Sequence, residues 1–234
     1  MCKILIIPKT NKNKELRKFI RAAAPIMSKN DRDGFGYAAL TDDGLVAERW
    51  LNPSDAFQKT TEKEIAWRTK ARSYLEKGEY GYNRLGDVSK EYHGAIVHAR
   101  YATCAVNLAN VHPFTAFNTL ALVHNGIISN PEAHKPVHST CDSESILKAY
   151  IAHDIAAHPE NIQAMSDKLD GSYACGIINA ELGYVDILHD DRSNLVCAYV
   201  DALDTDVFAT TNTIIEECCK KCGFKQPTKF FDVK

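Results

Sequence analysis

Cys2 is the residue whose type and position most directly suggest chemistry. Removal of the initiator methionine leaves a thiol and a free α-amine on this one residue. An α-amino group has an unperturbed pKa of about 7.7–8.0, so it can accept the thiol proton near neutral pH. Cys2 is then a nucleophile that carries its own base. Taken alone, position 2 is better explained as a small, half-buried residue that opens a strand, but the rest of the chain reverses that preference.

Polar clusters follow Cys2 along the chain. They are HARYAT at residues 98–103, HPF at 112–114, HNG at 124–126 and CDSE at 141–144. One cluster alone is weak evidence, but all of them in this order behind Cys2 form a specific pattern. Together they resemble the class II glutamine amidotransferase domain, an N-terminal-nucleophile hydrolase, and in particular the stand-alone type that begins Met-Cys. The resemblance extends from Cys2 to about Asn179, with a weaker match in FATT at residues 208–211.

The resemblance implies catalytic roles for three residues. It implies that the Cys2 thiol attacks the side-chain amide of glutamine, while the α-amine takes the proton and later hands it to departing ammonia. It also implies that the Asn125 side chain and the Gly126 backbone N–H stabilise the tetrahedral oxyanion. Loss of one such donor typically lowers turnover by about 10²–10³.

The same resemblance implies how the substrate is held. Arg100 matches the arginine that grips the substrate carboxylate, where a planar guanidinium offers two parallel hydrogen bonds. Asp142 matches the carboxylate that holds the α-ammonium group, and Tyr101 and Thr103 shape the pocket beside the nucleophile. The plainer alternatives are a surface ion pair for Arg100 and a helix N-cap for Asp142.

No cofactor or metal is expected. His98, His112 and His124 match structural, hydrogen-bonding residues of the family rather than metal ligands. The cysteines at 218, 219 and 222 offer three ligands on a predicted helix, whereas a structural zinc site needs four. A packed helix face is the preferred interpretation of that cluster.

Other positions match the family or depart from it. The segment DGFGYA at residues 33–38 has a family counterpart, and we expect its glycines to let the backbone pass close to the nucleophile strand. Lys3 stands where many members have glycine, Cys104 and Ala105 replace a glycine-containing step, and Asn30 replaces an arginine of the synthase-linked members. These departures affect the loop over the pocket.

Composition excludes several classes of protein. The 234 residues include 28 basic and 30 acidic side chains, which gives a net charge of −2. This charge does not indicate the basic surface that binds nucleic acid or an anionic membrane. We find no apolar run long enough to span a membrane and no signal peptide, and therefore expect a cytosolic protein. A reducing compartment then leaves most of the eight cysteines free.

Hydrophobic periodicity predicts the elements that must position these residues. Strands are expected at Lys3–Ile7, 36–40, 45–50, 94–101, 119–124, 172–179, 183–188, 195–199 and 207–209. Helices are expected at 14–23, ended by Pro25, and at 61–77, 143–153, 161–169 and 212–221. A polar insertion is expected over 78–93. We predict one domain over residues 1–234 with an irregular tail at 225–234. With the resemblance, the fold class is α+β, a four-layer αββα sandwich of two antiparallel sheets flanked by helices.

The predicted function is hydrolysis of the glutamine side-chain amide through a Cys2 thioester, which gives glutamate and ammonia. Because the glutaminase pattern takes up the chain, we expect the ammonia acceptor, or a synthase that modifies it, to be a separate protein. One alternative is a stand-alone amidohydrolase that cuts a γ-glutamyl or related amide without ammonia transfer. The other is a non-catalytic subunit that binds an amino acid, which the joint presence of Cys2, Arg100, Asn125, Gly126 and Asp142 disfavours.

Overall fold

The computed structural model describes residues 2–53, 56, 91–131, 135–136 and 138–233. In chain order its elements are β1 (Lys3–Ile7), α1 (Asn13–Met27), β2 (Phe35–Thr41), β3 (Gly44–Trp50), β4 (Tyr92–Ala99), β5 (Phe114–Ala116), β6 (Leu120–Ile128), α2 (Ser143–Ala152), α3 (Ile162–Ser166), β7 (Gly171–Asn179), β8 (Tyr184–His189), β9 (Val196–Val200), β10 (Thr205–Ala209), α4 (Asn212–Cys222) and β11 (Phe231–Asp232). The helix predicted over 61–77 and most of the insertion predicted over 78–93 lie outside the described residues.

The strands form two antiparallel sheets. Sheet A has the order β11-β9-β10-β1-β4-β2-β3, and sheet B has the order β5-β6-β7-β8. In sheet A, Ala99 at the end of β4 pairs with Lys3 on one side and with Phe35 on the other. Cys2 and the residues that follow Ala99 therefore emerge at the same end of the sheet.

Alternation along β1 explains the layers. Leu5 and Ile7 pack with α1 and α4 in one apolar cluster, whereas Ile4 and Ile6 pack against the strands of sheet B in another. A third cluster joins the other face of sheet B to α2 and α3. Because successive side chains of a strand point to opposite faces, each sheet has a helix layer on one side and its partner sheet on the other. The predicted four-layer αββα sandwich is confirmed.

Helix α1 is longer than the sequence predicted, because it passes through Pro25 and ends at Met27. Proline removes one backbone donor from a helix, which is why an end was expected there. Both Ala24 and Met27 are fully buried, and the Ser28 N–H donates to the Ala24 carbonyl at 3.1 Å. Packing of the last turn against the core thus outweighs the lost hydrogen bond.

The chain end is also more ordered than predicted. Within the expected irregular tail at 225–234, Phe231 and Asp232 form β11, which pairs with Cys197 and Val196 of β9. The Val233 N–H continues this pairing by donating to the Leu195 carbonyl at 2.9 Å. The tail prediction was wrong for these residues, because the free edge of β9 supplies backbone partners that no local sequence signal reveals.

Other elements differ from the predicted ones. Strand β5 was not predicted, β4 ends at Ala99 instead of residue 101, and α3 is shorter than the helix expected over 161–169. Strand β6 runs further than predicted, to Ile128. Asn125 and Gly126 consequently lie within a strand. Across the part of the chain that the structure describes, no helix is both long enough and apolar enough to cross a membrane.

Candidate active site

A cavity of about 200 Å³ lies at the end of the sandwich where Cys2 precedes β1. Every residue predicted for the site lines it: Cys2, Arg100, Tyr101, Thr103, Asn125, Gly126 and Asp142. They come from both sheets and from the loop that leads into α2. Tyr101 and Thr103 lie on the exposed segment after β4, and Tyr101 is 52% exposed. The fold thus collects the predicted residues around one space.

Cys2 is held by the backbone of Tyr101. The Cys2 thiol is 3.3 Å from the Tyr101 carbonyl oxygen, and the Tyr101 N–H donates to Sγ at 3.4 Å. Burial raises the pKa of the Cys2 thiol above its ordinary value, a change that the Tyr101 hydrogen bond opposes. The thiol is therefore protonated at neutral pH, and a nucleophile at this position needs a base.

Asn125 and Gly126 reach the cavity from β6. Gly126 has a positive φ of 149° and pairs with Tyr173 of β7. A Cβ at Gly126 would lie 1.9 Å from the Ser172 carbonyl oxygen, so the position admits only glycine. Asn125 is 3% exposed, and its Oδ1 has no hydrogen-bond partner among the described residues.

Arg100 is buried beneath the loop that follows β4, with 2% exposure. Its Nη2 donates to the carbonyl oxygens of Cys104 at 3.3 Å and Ala105 at 3.1 Å, and it lies 3.3 Å from Cys104 Sγ. Nη1 donates to the Asp33 carbonyl at 3.4 Å. Arg100 is therefore not the surface ion pair of the plainer alternative. It lines the cavity and also fixes the loop.

Asp142 precedes α2 but does not cap it through its side chain. Its Oδ2 instead accepts a hydrogen bond from the Ile128 N–H at 2.6 Å, which ties the start of α2 to the end of β6. The Asp142 side chain is therefore not an ordinary N-cap, which was the plainer alternative. The carboxylate is anchored beside the cavity that it lines.

Three buried histidines lie at the site, and His112 and His124 line the cavity. His98 Nε2 lies 3.1 Å from the His124 carbonyl oxygen, and the His98 and His112 rings stack with centroids 4.0 Å apart. His124 Nδ1 is 2.7 Å from the Ser143 hydroxyl. Burial lowers the pKa of His98 to about 3, so the ring is neutral in the folded protein. The contacts of His98 and His124 match the hydrogen-bonding role that the sequence suggested. His112 packs through its ring instead, because neither of its ring nitrogens has a partner among the described residues.

The glycines at 34 and 36 approach a different segment from the one expected. A Cβ at Gly36 would lie 2.1 Å from the His112 carbonyl oxygen, and one at Gly34 would lie 2.6 Å from a Val111 methyl. In sheet A, β2 lies between β4 and β3, and β4 separates it from β1. The prediction that these glycines pass close to the nucleophile strand was therefore wrong, because strand order is set by long-range pairing.

Sequence analysis missed several residues that line the cavity. They include Ser172, Arg192, Ser193 and Asn194, from β7 and from the turn between β8 and β9. The one available signal was the polar run DDRSN at 190–194, which reads as an ordinary turn.

The residue groups considered for metal binding lie away from this cavity. Cys218, Cys219 and Cys222 are buried in the apolar cluster between α4, α1 and sheet A, which confirms the packed helix face. Among the described residues, one group has donor atoms close enough to share an ion: Asp42, Glu91 and His93, at the opposite end of β4 from Arg100. It is not part of the site.

The sandwich matches known structures over its whole length. The glutamine phosphoribosylpyrophosphate amidotransferase from B. subtilis, complexed with ADP and GMP, aligns with a TM-score of 0.64 and 18% identity, over 100% of this chain and 45% of that one. A structure of the allosteric regulatory enzyme of purine biosynthesis aligns with a TM-score of 0.62 and 18% identity, over 100% of this chain and 47% of the other. At this level of identity the likeness establishes the fold.

A sequence relationship points the same way. The chain is 27% identical over 156 residues to the glutamine–fructose-6-phosphate aminotransferase (isomerizing) of Legionella pneumophila strain Lens, and equally to that of strain Paris. The match covers 58% of this chain and 26% of each relative. No family model matches the chain. Both the fold and the sequence match proteins named as glutamine-dependent aminotransferases or amidotransferases, and Cys2 lies in the cavity. The chain is similar in sequence to glutamine–fructose-6-phosphate aminotransferases over part of its length, and it has the fold seen in the glutamine phosphoribosylpyrophosphate amidotransferase.

The cavity is built across both sheets. Sheet A contributes the Cys2 and Arg100 positions at the ends of β1 and β4, and sheet B contributes Asn125 and Gly126. The chain spans 26% of the length of the curated relatives it matches.

Proposed function

We propose that the domain hydrolyses the side-chain amide of glutamine to glutamate and ammonia, with Cys2 as the nucleophile. One observation carries the proposal: the Cys2 thiol of sheet A and the Asn125–Gly126 pair of sheet B line the same cavity of about 200 Å³. A thiol and an oxyanion-stabilising pair that face one space are what an acyl transfer requires.

The reaction starts with proton transfer from the Cys2 thiol to its own α-amine, after Met1 has been removed. Sulfur then bonds to the δ-carbon of glutamine, and the carbonyl electrons move onto oxygen, where the Asn125 side chain and the Gly126 N–H stabilise them. The protonated amine gives its proton to the departing nitrogen, so ammonia leaves and a thioester remains. Water, deprotonated by the same amine, attacks the thioester and releases glutamate with the thiol restored.

The amino-acid end of glutamine is recognised by charge. The Asp142 carboxylate, anchored to the Ile128 N–H, pairs with the α-ammonium group, and the Arg100 guanidinium faces the α-carboxylate. Tyr101 and Thr103 form the exposed wall beside the nucleophile. Anchored charges select glutamine over simple amides because they are positioned before the substrate binds.

Ammonia is passed to an acceptor outside these residues, on a separate synthase or acceptor-modifying protein. The match covers 26% of the relatives' chains, so most of each relative lies outside the matched region. The competing hypothesis is a hydrolase of another γ-glutamyl amide that transfers no ammonia. It shares the site residues and differs in the leaving group that it accepts.

Release of ammonia and glutamate from a panel of γ-amides tests the proposal, with glutamine expected to be the best substrate. Cys2→Ala should abolish turnover while thermal unfolding stays cooperative, because the change removes the nucleophile and little packing. Cys197→Ala is the matched control, since Cys197 lies on β9 away from the cavity. Equal glutaminase activity in the Cys2→Ala variant and the parent would refute the proposal, and preference for a substituted γ-amide would favour the competing hydrolase.

A further inference from the structure

Two cysteines in the cavity take no part in the proposed reaction. Cys104 and Cys141 line the cavity together with Cys2. Cys104 is half-buried on the loop that follows β4, whereas Cys141 is buried immediately before Asp142. Cys104 also packs against the apolar cluster of sheet B and α2 that contains Cys141. Two thiols from distant parts of the sequence therefore meet at the same cavity.

The side chain of Asn110 joins the two segments that carry these cysteines. Asn110 is fully buried, and its Nδ2 donates to the Ala105 carbonyl at 2.8 Å and to Thr140 Oγ1 at 2.9 Å. Its Oδ1 accepts a hydrogen bond from the Thr140 N–H at 2.9 Å. Ala105 directly follows Cys104, and Thr140 directly precedes Cys141. The bonded atoms beside the two cysteines are therefore held within two hydrogen-bond lengths of each other, or about 6 Å.

Cys104 is the thiol that a small molecule can reach. It is half-buried, and its neighbours Thr103 and Ala105 are exposed. Its Sγ lies 3.3 Å from Arg100 Nη2, which places a positive charge beside the sulfur. A cation beside a sulfur favours the thiolate, and the thiolate is the form that attacks a disulfide. Cys104 is therefore suited to react first.

Cys141 is suited to react second. Its Sγ lies 3.4 Å from the Ser143 hydroxyl and 3.6 Å from Asp142 Oδ1. Burial raises the pKa of the Cys141 thiol to about 12, and negative charge on Cys104 contributes to the increase. The thiol is thus protonated at neutral pH and shielded from molecules in solution. It reacts with a partner that is already beside it, which Cys104 supplies.

We propose that Cys104 and Cys141 form a redox modification site that reacts with small disulfides such as oxidised glutathione. The Cys104 thiolate attacks one sulfur of the oxidant, whose S–S bond breaks, and the first glutathione leaves with the proton that Cys104 gave up. The Cys141 thiol then attacks the Cys104 sulfur, and the second glutathione leaves with the Cys141 proton. Two electrons pass from the protein dithiol to the oxidant, which becomes two molecules of glutathione.

The disulfide fastens the loop that follows β4 to the start of α2. The same loop carries Tyr101, whose backbone contacts the Cys2 thiol. The modification therefore acts on the segment that holds the nucleophile and leaves the Cys2 sulfur unbonded. The inference goes beyond the proposed function, because the exchange requires neither glutamine nor the Cys2 thiol.

The experiment uses the Cys2→Ala protein, which lacks the catalytic thiol as a competing site. After incubation with oxidised glutathione, the intact mass should be lower by two hydrogen atoms. A peptide map made without reductant should link Cys104 to Cys141, and dithiothreitol should restore the original mass.

Single variants in this background separate the two steps. Cys141→Ser should stop the reaction at a mixed disulfide of Cys104 with glutathione, because the second thiol is missing. Cys104→Ser should abolish both products and leave Cys141 reduced. Cys197→Ser is the matched control, since Cys197 is also half-buried but lies on β9 away from the cavity. It should not change the yield of the bond between Cys104 and Cys141.

Reaction rates at Cys104 and Cys197 provide a second measurement. Burial, with the nearby Asp206 carboxylate, raises the pKa of the Cys197 thiol to about 11. Cys104 should therefore react with oxidised glutathione about tenfold faster or more. Equal rates at the two positions, a Cys104 that stays reduced, or a map that links Cys104 to a different cysteine would each overturn the assignment. The map needs neither serine variant, so it decides the question even where one of them fails to fold.

Discussion

The Cys2 thiol lies between the two polar backbone atoms of Tyr101, 3.3 Å from its carbonyl oxygen and 3.4 Å from its nitrogen. The nucleophile is therefore positioned by the segment that directly follows Arg100, and Arg100 fixes the continuation of that segment through Cys104 and Ala105. In the proposed function, one loop therefore connects the Cys2 nucleophile with the substrate contact of Arg100.

The free α-amine of Cys2 should control the pH dependence of turnover. The amine must be neutral to take the thiol proton, so kcat/KM should rise with pH and level off above the ordinary α-amine pKa of about 8. Intact mass of the active protein should show that Met1 is absent. A form with an uncleaved N-terminal extension should be inactive, and full activity in that form would exclude the α-amine as the base.

Asn125→Ala should lower kcat about 10²–10³-fold and change KM much less. The reason is that the contact strengthens as negative charge develops on the oxyanion. Steady-state kinetics with glutamine measures kcat and KM separately. Asn130→Ala is a suitable control, because Asn130 bonds Lys168 and Asp170 outside the cavity. A loss confined to KM would mean that Asn125 binds the ground state instead.

Asp142→Asn should raise KM for glutamine about tenfold or more, because the α-ammonium group loses its counter-charge. An asparagine oxygen can still accept the Ile128 N–H bond, so the start of α2 should keep its place. Glutaramate, which lacks the amine, supplies the comparison and should be hydrolysed equally by the variant and the parent. A similar loss with both substrates would indicate a structural role for Asp142.

Arg100→Lys should impair every amide substrate, including 4-aminobutanamide, which lacks the α-carboxylate. Lysine cannot reproduce the planar set of donors that reaches the carbonyl oxygens of Asp33, Cys104 and Ala105. The loop should also become more sensitive to limited proteolysis. Unchanged turnover of 4-aminobutanamide, together with a higher KM for glutamine, would show that Arg100 acts on the carboxylate alone.

Buried neutral histidines should make the fold sensitive to acid. The pKa of His98 is about 3 in the folded protein, against an ordinary value of 6.5. The unfolded chain therefore binds the proton more tightly, so stability is full above pH 6.5 and falls as the pH drops below it. The free energy of unfolding should fall by up to about 1.4 kcal/mol per pH unit for each such histidine.

Urea unfolding at pH 7.0 and pH 5.5 measures this effect. His98→Gln should reduce the difference between the two conditions, whereas the exposed His158→Gln should leave it unchanged. Equal free energies of unfolding for the parent at both pH values would contradict the prediction.

The sequence alone predicted the chemistry, and the family resemblance of its motifs predicted the architecture. Residue types such as Cys2, the HNG cluster and the CDSE cluster are local facts, and a nucleophile or a charge keeps its chemical nature wherever the chain places it. The continuous apolar run from Ile4 to Ile7 likewise indicated a short buried strand. The β2–β3 hairpin followed from turn residues beside the strands that they join.

Only the tertiary structure decided what depends on long-range partners. The exposed edge of β9 orders Phe231 and Asp232, and the place of β4 beside β2 brings Gly36 against His112. Arg100 could be found from its motif, but its bonds to loop carbonyls could not. Arg192 entered the site because Tyr173 pairs with Gly126 and bonds Asp190. Backbone pairing between distant strands carries no local sequence signal, since every residue offers nearly the same donor and acceptor.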